Sequence, residues 1–223
     1  MMTNLFSIFD PSTKFMSSSN WISILMFMII LPTQLWLLNN RSKQMFLLLL
    51  NYLVYEFMPL IKKSPYTLII SSSIFMFIML NNFSGLLPYI FTASSHLMFT
   101  LPLALSMWFS VYLYTWLNNT SNNLIHLIPQ GTPKILMPFM VMIETISNII
   151  RPGTLAVRLA ANMIAGHLLL VLLSSSFTHL VVASSPVLFI LLVLLSILEM
   201  AVAIIQAYVF SILTTLYCSE AMN

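Results

Sequence analysis

Val187 to Tyr217 runs for about 31 residues with Glu199 as its only charged side chain. Such a stretch leaves little choice of fold. About 20 apolar residues already carry a helix across the hydrocarbon of a bilayer, and a chain placed there must satisfy its backbone N–H and C=O groups within a helix or a closed barrel. Segments of similar character recur along the 223 residues, 60% of which are hydrophobic and only 6% charged, with a mean hydropathy of +0.98. No soluble globular domain has that balance, so the sequence predicts an all-α integral membrane protein. Its eight basic and five acidic residues, net charge +3, are too few and too dispersed for a nucleic-acid surface.

The segments predict one membrane domain over residues 1–223, with about five crossings and one surface helix. Residues 1–20 form a polar N-terminal segment with a turn at Asp10-Pro11-Ser12, and 21–38 form a first span interrupted by Pro32 and Gln34. The start of the chain shows neither the basic region of a signal peptide nor the Arg/Ser-rich character of a transit peptide, so insertion is assigned to that first span. Residues 41–63 mix leucines and aromatics with charge. At about 100° per residue Arg41, Gln44, Asn51, Glu56, Lys62 and Lys63 share an arc of roughly 140°, with Lys43 outside it, which predicts an amphipathic helix on the membrane surface. A transmembrane placement is the alternative, and it would bury Glu56 without a nearby partner.

A helical hairpin follows over 66–117, with a span from Tyr66 to Leu80, a turn at Asn81-Asn82-Phe83-Ser84-Gly85 and Pro88, and a return from Leu97 to Leu117. Asn118 to Asn123 reads as a polar loop and Pro129-Gln130-Gly131-Thr132-Pro133 as a rigid bend. Residues 134–218 then form a second hairpin of two overlong helices, strongly tilted because each exceeds a perpendicular crossing. Arg151-Pro152-Gly153 is a candidate kink in the first of them. Segment 41–63 carries four of the eight basic residues, whereas the connections 81–96 and 174–186 carry none. The positive-inside rule therefore puts the C-terminus on the positive-rich side and the N-terminus opposite.

The last two helices also hold the polar residues that a bilayer does not tolerate without a reason: Glu144, Arg151, Arg158, Asn162, His167, Glu199 and Gln206. Arg158 constrains most. It stays protonated in a protein, and an arginine at the middle of a membrane helix costs about 2.5–3.5 kcal/mol on insertion scales. Glu144, 14 residues earlier, lies within about 40° of the same face but about 21 Å away along the axis. Asn162 follows Arg158 by one turn and can support the guanidinium; Glu199 and Gln206, seven apart, share a face of the final helix. Carboxylates and a histidine can relay protons through short water chains, whereas a fixed cation repels protons and attracts an ionised carboxylate. Arg158 is thus read as a barrier between two wet regions. A structural ion pair of Glu144 or Glu199 with Arg158 is the plainer alternative, and His167 as a satisfied interior histidine is another. Arg151 reads as a headgroup or structural contact, and His96, His126 and His179 receive no role. With one cysteine, Cys218, and no close histidine pair, no metal or cofactor is expected.

Three stretches carry a family resemblance: Ile143-Glu144-Thr145-Ile146-Ser147; Leu155-Ala156-Val157-Arg158-Leu159 through Ala165-Gly166-His167; and Ile197-Leu198-Glu199 through Gln206-Ala207-Tyr208-Val209-Phe210. With the loop His126-Leu127-Ile128-Pro129-Gln130-Gly131-Thr132-Pro133, they make the chain resemble the subunit a family of mitochondrial F-type ATP synthases over essentially its whole length. The resemblance implies a stator subunit set against a rotating ring of c subunits, with other membrane-sector and peripheral-stalk subunits as partners and protons as the transported ion. By it, Arg158 faces the ring carboxylate, His167 and Glu199 belong to a half-channel from the intermembrane space, Glu144 to one opening to the matrix, and Asn162 and Gln206 support the arginine. Ala160 stands where many relatives have threonine. The implied location is the mitochondrial inner membrane, N-terminus toward the intermembrane space and C-terminus toward the matrix; seventeen methionines and few charges suit a protein made inside an organelle. ATP chemistry would lie elsewhere, since the chain has no phosphate-binding glycine loop and only four glycines. Two rival classes are a proton-coupled secondary transporter, in which Arg158 binds an anionic substrate, and a structural subunit of a respiratory complex.

Overall fold

In the computed structural model the described residues are 5–13, 18–32, 38, 40–60, 66–118, 120–128, 133–177 and 185–222. They are helical with no strand among them. Short 3-10 helices at Leu5–Phe9 and Ser19–Leu25 lead into α1 (Met26–Ile30), followed by α2 (Arg41–Phe57), α3 (Tyr66–Gly85), α4 (Leu97–Asn118), α5 (Thr120–His126), α6 (Met137–Ser176) and α7 (Ser185–Met222). Four of these, α3, α4, α6 and α7, are long and apolar enough to cross a membrane.

The two overlong helices are present at 40 and 38 residues, each about twice the axial length that a 30 Å hydrocarbon core requires. Helix α6 passes Pro152 without losing its helical assignment. The five-span expectation is met by four helices because the described part of 21–38 is a 3-10 turn and five residues of α-helix; residues 33–37 lie outside the described residues, as do 61–65, 129–132 and His179.

Two local expectations need correction. The turn placed at Asn81 to Gly85 is the buried last turn of α3. Its turn-forming side chains bond within the helix, Asn81 Nδ2 to the Phe77 carbonyl at 3.0 Å and Ser84 Oγ to the Asn81 carbonyl at 2.9 Å, so they do not compete with it. The chain turns after Leu86, with Tyr89 in the left-handed region at φ 68°. The polar loop at 118–123 instead includes the start of α5.

The core lies where α3 packs on α7 and α4 on α6. Phe75, Met76 and Ile78 of α3, Leu155, Ala156 and Leu159 of α6, and Ala207 and Phe210 of α7 are buried together. Leu53 and Phe57 of α2 join them, so the amphipathic helix docks one edge into the bundle while Met45, Leu48 and Leu49 stay exposed. That packing fixes which faces of α6 and α7 turn inward.

Candidate functional site: an intramembrane polar path

The polar residues of α6 and α7 fall into three groups along the α6 axis. At the end nearest Met137, Arg151 meets Glu144 (3.8 Å) and Glu220 of α7 (3.2 Å), with its guanidinium 5.5 Å from the centre of the Tyr217 ring. This cluster is open, the side chains of Arg151, Glu144 and Glu220 being 35%, 36% and 65% exposed. Glu220 was not singled out in the sequence. Its partnership with Arg151 brings the end of α7 against the body of α6, 69 residues apart in sequence.

Arg158 stands two turns further along α6, outside that cluster of ion pairs. Its side chain is exposed, on a face shared with Val157, Ala161 and Ala165. Among the described residues no carboxylate lies within ion-pair distance of it. The ion pair of Glu144 or Glu199 with Arg158, the plainer alternative from sequence, is therefore not formed: Glu144 goes to Arg151, and Glu199 is elsewhere. Asn162 is half-buried one turn on, without a hydrogen bond to the guanidinium. The face around Arg158 is made of small side chains, which lets another surface approach the cation closely.

The third group is buried. Glu199 is 7% exposed, and both its carboxylate oxygens lack a hydrogen-bond partner among the described residues. Its carboxyl group presses on Gly166 so closely that a Cβ there would lie 3.0 Å from Cδ and 3.1 Å from Oε1; only glycine leaves that space. His167 follows directly, its Nε2 buried and equally unpartnered, its ring edge-on to Phe9 at 6.3 Å, and the Gly85 backbone within hydrogen-bonding reach. Glu199 and His167, 32 residues apart in sequence, thus flank the same glycine without bonding each other. Gln206 is half-buried two turns beyond Glu199.

The structure adds residues to this group that the sequence placed in a turn, in the connection after it and at the start of the return span. Asn82 is fully buried; its Nδ2 donates to the Ala203 carbonyl at 3.4 Å, one turn from Glu199, and its Oδ1 has no partner among the described residues. In the Thr92 to Thr100 segment, Ser94, His96 and Thr100 each bury an unpartnered polar atom. An unsatisfied buried polar atom costs about 1–3 kcal/mol, and native proteins hold few of them. Their concentration around one end of α3, with a buried acid beside it, suits a passage that hydrogen-bonds water and protons. A signal was available: Asn81-Asn82 ends an apolar run, and Thr92-Ala93-Ser94-Ser95-His96 is a polar run of small side chains between two spans.

Acids at two levels of an overlong helix pair, with a cation between them that has no carboxylate partner among the described residues, mark a polytopic membrane protein of the ion-conducting class. The comparisons specify it further. The family profile described as ATP synthase A chain matches residues 4–219. "ATP synthase subunit a" of Locusta migratoria is 53% identical over 223 residues, and that of Drosophila melanogaster 52% over 222, each covering 99% of both chains. The Anopheles gambiae protein of the same name is 52% identical over 226 residues with the same coverage. The chain belongs to the ATP synthase A chain family.

Proposed function

We propose that this chain carries protons through two offset half-channels that meet at Arg158, where the carboxylates of a rotating ring of c subunits pass. Membership of the family makes it a proton-translocating stator subunit of the membrane sector of ATP synthase; both rival classes, the secondary transporter and the respiratory structural subunit, give way to that.

The carrying observation is Arg158, exposed and without a carboxylate within ion-pair distance among the described residues, on a helix long and apolar enough to cross a membrane. A cation so placed requires an anion, and the small side chains around it leave room for one brought by another chain. Ring carboxylates reaching it are held ionised, and the positive charge blocks protons from passing directly between the two wet ends. His167 is about 13 Å along the axis from Arg158 and half a turn away in azimuth, and Glu144 about 21 Å the other way. Offset of both kinds is what forces a proton to travel on the ring.

In this reading Glu199 and His167, with Asn82, Ser94 and Thr100 as polar wall, form the path from the intermembrane space, and Glu144 with Arg151 and Glu220 the path to the matrix. Asn162 and Gln206 support the central region. The orientation rests on segment 41–63, which holds four basic residues and marks the matrix side, and on connection 81–96, which holds none and lies at the Glu199 end. The location is the mitochondrial inner membrane. Each proton delivers about 2.3 kcal/mol per 100 mV, and the chain's task is to let none of it pass without turning the ring.

Arg158→Ala tests the reading: assembled synthase carrying it is expected to lose proton-driven ATP synthesis altogether. Normal synthesis in that variant would refute a barrier at Arg158, and the absence of any cross-link between cysteines at Ala161 or Ala165 and the ring would refute the facing surface.

A further inference from the structure

The seat of α7 on α3 combines one large buried side chain, Phe210, with small ones. Ala203 and Ala207, both fully buried, lie in that contact, and alanines offer little of the ridge and groove that lock a helix against turning about its own axis. Two side-chain bonds from other elements oppose such a turn. One is Asn82 to the Ala203 carbonyl. The other comes from the surface helix α2, where Glu56 Oε2 accepts from the Tyr208 hydroxyl at 2.8 Å.

The second bond has the geometry of a brace. Tyr208 lies nine residues after Glu199 and so half a turn away in azimuth, which puts the attachment at the back of α7 relative to the buried carboxylate. The brace is seated by packing: Phe57, 1% exposed, stacks on the Tyr208 ring at 6.3 Å and 23°, and Leu53 is buried one turn before it. Tyr52, one turn back on α2, is close enough to Glu56 for the carboxylate to act on its phenol. A bond from a phenol to a carboxylate is about twice as strong as one between neutral groups.

We propose that Glu56 and Tyr208 are a positioning pair for proton uptake, fixing the rotational setting of α7 that keeps Glu199 against Gly166 and beside His167. The proposal deepens the assignment of Glu199 to the uptake path and rests on it; neither Glu56 nor Tyr208 carries the proton. The leverage is large. At a side-chain radius of about 5–6 Å, a turn of about 10° moves a carboxylate by about 1 Å, and displacements of that size cost up to about 100-fold in rate.

The test uses whole assembled synthase in inner-membrane vesicles, with turnover per assembled complex read against pH on the uptake side. Tyr208→Phe and Glu56→Ala are expected to assemble, to lose on the order of tenfold in turnover, and to shift that pH profile. Glu56→Gln keeps an acceptor for the phenol and is expected to recover most of the rate. Unchanged turnover and profile in Tyr208→Phe would overturn the proposal. So would a loss that follows only the amount of assembled complex, or a Glu56→Gln variant as impaired as Glu56→Ala. Glu199→Gln, run alongside, separates the two levels: if it is impaired while Tyr208→Phe is not, the brace alone fails, and if Glu199→Gln is itself unimpaired, the uptake assignment fails first.

Discussion

The two ends of the α6–α7 pair handle acids in opposite ways. Glu144 and Glu220 are open to their surroundings and share Arg151, whereas Glu199 is 7% exposed and takes no partner among the described residues. Ion pairs in an exposed setting contribute only about 0–1 kcal/mol, so the first cluster is a holding arrangement that water can replace. A buried carboxylate has no such substitute, and its placement depends on what crowds it. The comparison separates an end that tolerates loose geometry from one that does not.

Variants can break that contrast, beginning with the most severe. Complete loss of proton-driven synthesis is expected for Arg158→Ala, since the proposed barrier stands between the two ends. Glu199→Gln removes the only buried acid of α7 and should cost about 100-fold in proton-driven ATP synthesis, the range for losing a proton-transfer group. A rate within twofold of the parent would remove Glu199 from the path. Gly166→Ala puts a methyl 3.0 Å from the Glu199 carboxyl carbon; a shift of the carboxylate is expected to slow turnover by about tenfold, with assembly retained. If the alanine variant ran normally, the tight fit of Glu199 would be incidental.

At the open end the same kind of change should matter little. Glu220→Gln is expected to leave turnover within about fivefold of the parent, the equivalent of an exposed ion pair, and a loss as large as that of Glu199→Gln would erase the distinction drawn here. The smallest effect concerns the surface helix. Tyr52 titrates above its ordinary value of 10.0 because its hydroxyl donates to Glu56 and its phenolate would face that carboxylate. A raised value in the folded state means that the contact contributes in full below pH about 10 and is lost as pH rises past the elevated titration point. An ultraviolet titration of parent against Tyr52→Phe should show one tyrosine missing from the late, alkaline part of the curve; its disappearance from the early part would contradict the Tyr52–Glu56 bond.

Much of the site was legible in the sequence because membrane solvation makes polar residues conspicuous. Arg158, Glu199 and His167 stand out against apolar neighbours, and their helices follow from length alone. Asn82 and Ser94 were visible only as members of short polar runs, because asparagine and serine at the end of an apolar run are the residues that make turns, and whether they bond to water in a loop or sit buried depends on what packs over them; Thr100 lay unmarked in the return span. Glu56 illustrates the same gap. From sequence it argued against burial for want of a partner, and the partner, Tyr208, is 152 residues away.

The sequence by itself determined that this chain is helical, spans a membrane, and carries a cation between acids, since a bilayer admits only helices or closed barrels and apolar runs of about 20 residues and more are too long for barrel strands. Tertiary structure alone decided who pairs with whom: Glu144 with Arg151 and not Arg158, Glu199 against Gly166, Tyr208 with Glu56. The reason is physical. Helical periodicity fixes the face a residue occupies on its own helix, but which face meets which neighbour is set by the rotation and depth at which α3, α6 and α7 pack, and no single segment contains that information.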